Sequence, residues 1–345
     1  MNARLVLSIA VVATAASLTA ARVSGQAAAP PAAKSTAATK AWTPSRTPWG
    51  DPDLQGTWTS DSENGVPFER PEQLAGKPTV DGSELNQLLE ERAVRRTQSN
   101  PLAGGITGAG PTHWYENWDA KSARTSMVVD PVDGRVPPLT REAQDRAAAR
   151  NDARRGRGPA DSYEDRSLWD RCITRGVPNV MFPTIYNNNS RIIQGPGYVA
   201  LTYEMIHETR VIPLDGRAHL GSRVRGYLGD ARGHWEGNTL VVDTTNFNAK
   251  TNYRGSSDTL HLIERFTRVG ANLLRYEVTV DDPHTFARPW TAALNLTPQS
   301  ELFEYACHEG NYGLGNILSA GRAEDKAAAE SGRAPSQVDT RGEER

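Results

Sequence analysis

A two-residue alternation of apolar and polar side chains fills most of the second half of this chain, and it restricts the possible folds more than any other feature. In residues 199–212, Val199, Leu201, Tyr203, Met205, His207, Thr209 and Val211 fall on one face. Ala200, Thr202, Glu204, Ile206, Glu208, Arg210 and Ile212 fall on the other. Successive side chains of a strand point to opposite sides of its sheet, so this period predicts a strand with one packed and one wet face. The period recurs in residues 238–247, 259–269 and 272–280, and continues in 289–296 and 301–309. With a shorter strand around 54–59, these segments predict a mainly β protein. They suit an antiparallel, lipocalin-like meander that closes into a barrel or folds as a sandwich.

The first half reads differently. Asp81-Gly82-Ser83-Glu84 is a capping-box pattern ahead of a helical stretch, Thr140 opens a second helix to about Arg154, and a third is expected over 163–171. Residues 46–175 are thus an extended and helical region, with a few N-terminal helices, that packs on a barrel or sandwich formed by 176–320. Residues 321–345 are polar and Ala-rich and are expected to be a disordered tail. Residues 26–45 have the Ala, Pro, Thr and Ser content of a disordered linker.

Residues 1–25 have the parts of a secretory signal peptide: Arg4, an apolar run over 5–21, then Val23 and Gly25 at the cleavage positions. The run is short and rich in Ala, Ser and Thr for a span of about 30 Å, so no stable membrane anchor is expected after cleavage. The expected location is periplasmic or secreted. An even pair of cysteines, Cys172 and Cys307, then reads as one disulfide, with two buried free thiols as the alternative. With 39 basic and 41 acidic residues the chain lacks the basic excess of a nucleic-acid binder, which leaves a small molecule as the expected partner.

No Gly-x-Ser-x-Gly elbow, His-Glu-x-x-His, P-loop or dinucleotide fingerprint is present, and no histidine spacing marks a dedicated metal site, so no cofactor or metal is expected, with zinc on His207, His308 and one carboxylate as the alternative. The candidates for chemistry are ionisable groups inside the strand pattern. His207 interrupts an apolar face; desolvation there would favour the neutral imidazole that suits a general base, although a structural core histidine gives the same pattern. His308, in Cys307-His308-Glu309-Gly310, is the expected acid partner, with Tyr203 as the substitute acid and Glu204 to orient or carry protons. The run Tyr186-Asn187-Asn188-Asn189-Ser190-Arg191 offers Asn187 and Asn189 to orient a substrate and Arg191 to clamp an anion. Trp114 and Trp118 follow a Gly-rich loop and suit an aromatic lid. Asp230 and Arg232 suit a structural pair at the barrel rim. Gly56-Thr57-Trp58 and Gly233-His234-Trp235 repeat a Gly-x-Trp pattern that starts barrels of the lipocalin type, where the Trp plugs one end.

Seven segments together resemble a large family of uncharacterised bacterial secreted proteins. They are PWGDPDLQGTW, RTSMVVDPVDGRVPPLT, IYNNNSRIIQGPGYVALTYEMIHETRVIPLDGR, GHWEGNTLVVDTTNF, ERFTRV, VTVDDPHTFARPWTAAL and EYACHEGN. The resemblance covers nearly all of the chain after the signal peptide and departs at Asn238, where Asp is usual. It implies the fold and the compartment and brings no reaction. From the residues, the expected function is an exported enzyme using cofactor-free acid–base chemistry on a small organic or sugar-like substrate in a β-barrel pocket, as a lyase, isomerase or hydrolase. A lipocalin-like periplasmic carrier without catalysis is the alternative, and an envelope interaction protein is a third reading.

Overall fold

The computed structural model describes residues 42–98, 122–184, 186–250, 253–308 and 311–332. The signal peptide, Trp114, Trp118, most of the linker and the last residues of the tail lie outside them.

Ten antiparallel strands form one sheet: β1 (Gly56–Thr59), β2 (Val128–Asp130), β3 (Asn189–Gly195), β4 (Tyr198–Tyr203), β5 (Thr209–Pro213), β6 (Asp230–Glu236), β7 (Thr239–Thr245), β8 (His261–Gly270), β9 (Leu273–Asp281) and β10 (Trp290–Pro298). Their order is β5-β4-β3-β1-β10-β9-β8-β7-β6, with β2 on β10. The fold is therefore two meanders, β3–β5 and β6–β10, joined by the four residues of β1, which pair with Asn189–Ile192 on one side and with Thr297 and Pro298 on the other.

The alternation in the sequence is the alternation in the sheet. Leu274, Tyr276, Val278 and Val280 of β9 are fully buried, as are Leu262, Glu264 and Phe266 of β8, while the residues between them are partly exposed. Each large apolar side chain removed from water in this way contributes roughly 1.5–3 kcal/mol. The N-terminal region shares the core: the Phe68 ring meets Phe182 at 5.2 Å and Trp290 at 5.8 Å, both edge-on. Trp58 is 2% exposed, with its indole N–H donated to the Leu54 carbonyl and the Arg268 guanidinium over its ring.

No ladder joins β5 to β6, so the sheet is unclosed. Its two ends nevertheless approach each other. A Cβ on Gly233 of β6 would lie 2.9 Å from Ile212 Cγ2 of β5, so this position requires glycine. The curl brings five strands to one buried polar cluster. Arg210 of β5 donates to both carboxylate oxygens of Glu264 of β8, at 3.1 and 2.7 Å, to the Tyr203 hydroxyl of β4 at 3.1 Å and to Thr244 Oγ1 of β7 at 3.2 Å. Tyr276 of β9 donates to Glu264 at 3.1 Å. Burial alone would lower the Arg210 pKa, but the Glu264 carboxylate outweighs it and holds the guanidinium above its ordinary value.

Two helices stand where expected, α1 (Gly82–Gln98) and α2 (Arg141–Ala153); Thr140 caps α2 by accepting from the Ala143 N–H. Four expectations differ. Residues 199–212 are not one strand: β4 ends at Tyr203, a tight 3-10 turn covers Met205–His207, and the phase resets so that Arg210 and Ile212 point inward. Residues 301–309 form no strand among those described, because both edges of β10 are already taken by β9 and by β1 with β2. In place of a third helix over 163–171 there is only a 3-10 turn, Tyr163–Asp165. A helix α3 (Tyr312–Glu330) runs into the stretch expected to be a tail, opened by Asn311 accepting from the Leu314 N–H.

Candidate functional site

The expected pocket was inside the barrel, but that interior is occupied by buried side chains and the Arg210–Glu264 pair. The convergence of reactive groups lies instead at one end of the sheet, where Thr59, Asn189, Tyr203 and Thr209 stand side by side at the strand termini. Three segments meet there: the β4–β5 turn, residues 169–189, and residues 302–308 that follow β10.

The turn is conformationally costly. Ile206 and His207 have φ of 61° and 47°, and a β-branched residue in the left-handed region is a genuine outlier. Among the described residues six non-glycine positions have positive φ, and four of them belong to this place: Cys172, Asn187, Ile206 and His207. Such positions cost roughly 1–3 kcal/mol each and persist only where surroundings over-determine them, which is common at functional sites. Here the surroundings are explicit. The Cys172–Cys307 disulfide, with Cα atoms 5.6 Å apart, joins two of the three segments. Thr174 Oγ1 and the Arg175 N–H donate to Glu208 Oε2 at 2.8 and 3.2 Å, tying the third. Burial pushes the Glu208 carboxyl above its ordinary value, with the Thr174 and Arg175 bonds opposing.

His207 and His308, 101 positions apart in sequence, are brought together with ring centroids 5.8 Å apart in an edge-on arrangement. His207 is not desolvated within a strand, as its alternation implied. It is exposed on the turn, and its Nδ1 lies 2.9 Å from the Tyr305 carbonyl oxygen. A carbonyl only accepts, so Nδ1 carries the proton and the neutral ring keeps its lone pair on Nε2. That tautomer presents a base toward solvent, beside a second imidazole.

The remaining sequence candidates separate into two groups. Glu204 and Asn187 join the site: Asn187 Nδ2 donates to Glu204 Oε1 at 2.8 Å, and Asn189 accepts the Glu204 N–H through its backbone. Glu204 is 1% exposed, and its Oε2 and the Asn189 Oδ1 are buried acceptors without a partner among the described residues. Tyr203 and Arg191 do not join it. The Tyr203 hydroxyl belongs to the interior cluster, and burial pushes its pKa up to about 12, far from a useful acid near neutrality. Arg191 is exposed on β3 and its Nε donates to Thr57 Oγ1 at 3.1 Å.

Sequence reasoning missed Arg175, Tyr186, Tyr305 and Glu208. Tyr186, Tyr305 and Asp170 stand close to Arg175, and burial pushes the Tyr186 hydroxyl above its ordinary value. For Arg175 and Tyr305 the signal was available in the cysteines, because a bond between Cys172 and Cys307 makes neighbours of the few residues on either side of each.

A second polar cluster lies on the outer face of β6–β8. His219 places its Nδ1 3.1 Å from Asp230 Oδ2 and its Nε2 2.9 Å from Asp243 Oδ1, while His261 Nε2 lies 2.7 Å from Asp243 Oδ2. Arg232 closes on Asp230 at 2.6 Å, the structural pair expected from the sequence. The hydrogen bond to Asp243 raises the His261 pKa, so the stability it adds is fully present below the ordinary imidazole value and is lost as pH rises through the raised one. Because the groups are a third exposed, Asp243→Asn is expected to cost only about 0.5–1 kcal/mol near pH 6, and clearly less near pH 9. Urea unfolding of both proteins at the two pH values checks this; an equal gap at both would contradict it.

Among the described residues no group of three or more His, Cys, Asp or Glu side chains is arranged to hold a metal ion, and no helix is long and apolar enough to cross a membrane. No family model matches the chain, and no curated protein matches it. Among solved structures it is similar to a secretary abundant heat soluble (SAHS) protein from Ramazzottius varieornatus at 10% identity, with a TM-score of 0.23, over 39% of this chain and 87% of that one.

Proposed function

We propose that the chain is an exported enzyme that binds a small organic molecule at one end of its unclosed β-sheet and moves protons with His207 and His308, as a lyase, isomerase or hydrolase. His207 Nε2 takes a proton from the substrate, and His308 supplies one to the departing or neighbouring oxygen. Glu204, held by Asn187, fixes the turn that presents His207. The observation that carries this reading is the pair of exposed imidazoles 5.8 Å apart, one of them on a backbone turn held in the left-handed region. Two groups of one type serve as acid and base when their surroundings differ, and here one ring has its tautomer set by the Tyr305 carbonyl.

Periplasmic or secreted placement is part of the same proposal. A formed disulfide fits an oxidising compartment, and the first 25 residues have the composition of an export signal. The small-molecule partner belongs to the same reading and is supported by the balanced charge of the chain.

The test is consumption of metabolites from a bacterial extract, followed by mass spectrometry, with wild type, His207→Ala, His308→Ala and the double variant. Loss of a general acid or base costs about a hundredfold or more in rate. The expected result is a species that wild type converts and the double variant leaves untouched. Equal conversion by wild type and double variant would remove the assignment. A ligand that co-purifies and is released unchanged, with no converted species, would favour the carrier instead.

A further inference from the structure

Arg175 is a cation without a counterpart. Its guanidinium lies 4.2 Å over the Trp169 ring, partly buried, and no side-chain or backbone acceptor among the described residues takes any of its N–H donors. Two carboxylates belong to the same neighbourhood, and both are engaged elsewhere. Asp170 accepts from Arg166 at 2.9 Å. Glu208 Oε2 is taken by Thr174 Oγ1 and by the backbone N–H of Arg175, and burial favours its neutral form. A partly buried guanidinium that no acceptor among the described residues engages keeps its donors for an oxyanion brought by a ligand.

The position of this cation matters as much as its isolation. Tyr305 is the residue whose carbonyl holds His207, and it lies two positions before Cys307 and three before His308. Arg175 itself follows Cys172 by three positions. The disulfide and the bond from the Arg175 N–H to Glu208, the residue after His207, therefore bring the segment of this cation to the turn that carries the imidazole.

We infer that Arg175 is the anion clamp of this site, and that the ligand is a small organic molecule bearing an oxyanion, a carboxylate or a phosphate monoester. This rests on the proposed function for the location of the reacting groups, and takes over the role that the sequence suggested for Arg191. A planar guanidinium stacked on an aromatic face keeps its fork of donors in the ring plane's direction and reads an oxyanion by two parallel hydrogen bonds, which a lysine ammonium cannot reproduce. With the oxyanion held there, the remainder of the ligand extends toward His207 and His308.

The test is an NMR titration of the full folded chain, following the Arg175 Nε–H and the ring protons of His207 and His308. The probes are benzoate, phenyl phosphate and neutral benzyl alcohol. The expected result is a saturable shift of Arg175 with one or both anions and none with benzyl alcohol. Arg175→Met should weaken the anion at least about tenfold, and Arg175→Lys should recover only part of that loss. Tighter benzoate identifies the carboxylate class, and tighter phenyl phosphate the phosphoryl class. Absence of a saturable Arg175 shift with either anion up to about 50 mM, weaker than any useful recognition, would overturn the clamp. So would unchanged anion affinity in a folded Arg175→Met protein. Should that variant not fold, the wild-type titration and Arg175→Lys decide the matter. The His207→Ala/His308→Ala protein separates the two proposals. Retained anion binding with unaltered turnover removes the proton-transfer assignment and leaves the clamp. Abolished turnover with no anion binding in wild type does the reverse.

Discussion

Glu264→Ala is expected to lower the stability of the protein by about 3–5 kcal/mol, because it leaves the Arg210 charge buried with nothing to balance it. Glu264 is 0% exposed and accepts two hydrogen bonds from Arg210 and one from Tyr276. Its removal orphans a guanidinium and a tyrosine hydroxyl at once, in a place that water does not reach. The double replacement Arg210→Met with Glu264→Leu should cost far less than the single one, since two apolar groups of similar volume need no partners. Guanidinium unfolding of the three proteins measures this. A loss below about 1 kcal/mol for Glu264→Ala would mean that the pair is wet in solution. The same change should be felt at the site: Arg210 anchors the start of β5, two residues after Glu208, so the turn that presents His207 loses its fastening.

Removing the disulfide is the other large effect. Cys172 and Cys307 are 135 positions apart, and closing a loop of that length restricts the unfolded chain by about 5 kcal/mol in the loop-entropy model. Cys172→Ser with Cys307→Ser should therefore lower the unfolding midpoint strongly. It should also separate the two imidazoles. Residues 302–308 belong to no strand, and the disulfide and the His207–Tyr305 bond are what hold them against the β4–β5 turn. Loss of the cross-peak between the His207 and His308 ring protons, in a protein still folded at low temperature, is the expected signature. A midpoint within about 0.5 kcal/mol of wild type, with the cross-peak intact, would show that the bond constrains neither state.

The legible part of this fold is the part governed by local period. Leu274, Tyr276, Val278 and Val280 alternate with polar residues because a pleated strand must alternate, and they are buried as a set. The cap at Thr140 is legible for the same reason, since its hydrogen bond spans only three residues. The β4–β5 turn was hidden by the same rule that revealed the strands. The alternation of residue types runs on across a reversal in which Tyr203, Glu204, Met205 and Ile206 are all buried, and which the left-handed Ile206 and His207 disclose. Arg210 illustrates a different failure. A charged residue in an alternating pattern is assigned to the wet face, and its burial depends on a carboxylate 54 positions away, on a strand that no local pattern places opposite it.

The candidate site divides along the same line. His207, His308, Glu204 and Asn187 were visible as reactive residue types, and Cys172 with Cys307 as a pair for an oxidising compartment. In the sequence Arg175 is one of many arginines, and Arg191 beside its asparagines is the expected clamp. What the sequence determined by itself was the inventory: strands of period two, capped helices, a cysteine pair and the residues able to move a proton. The tertiary structure alone decided which of them meet. The curl of the sheet placed Arg210 on Glu264, and the disulfide helped to place His308 beside His207. Proximity across a hundred residues is a property of the closed loop, whereas period and residue type are properties of the neighbouring few.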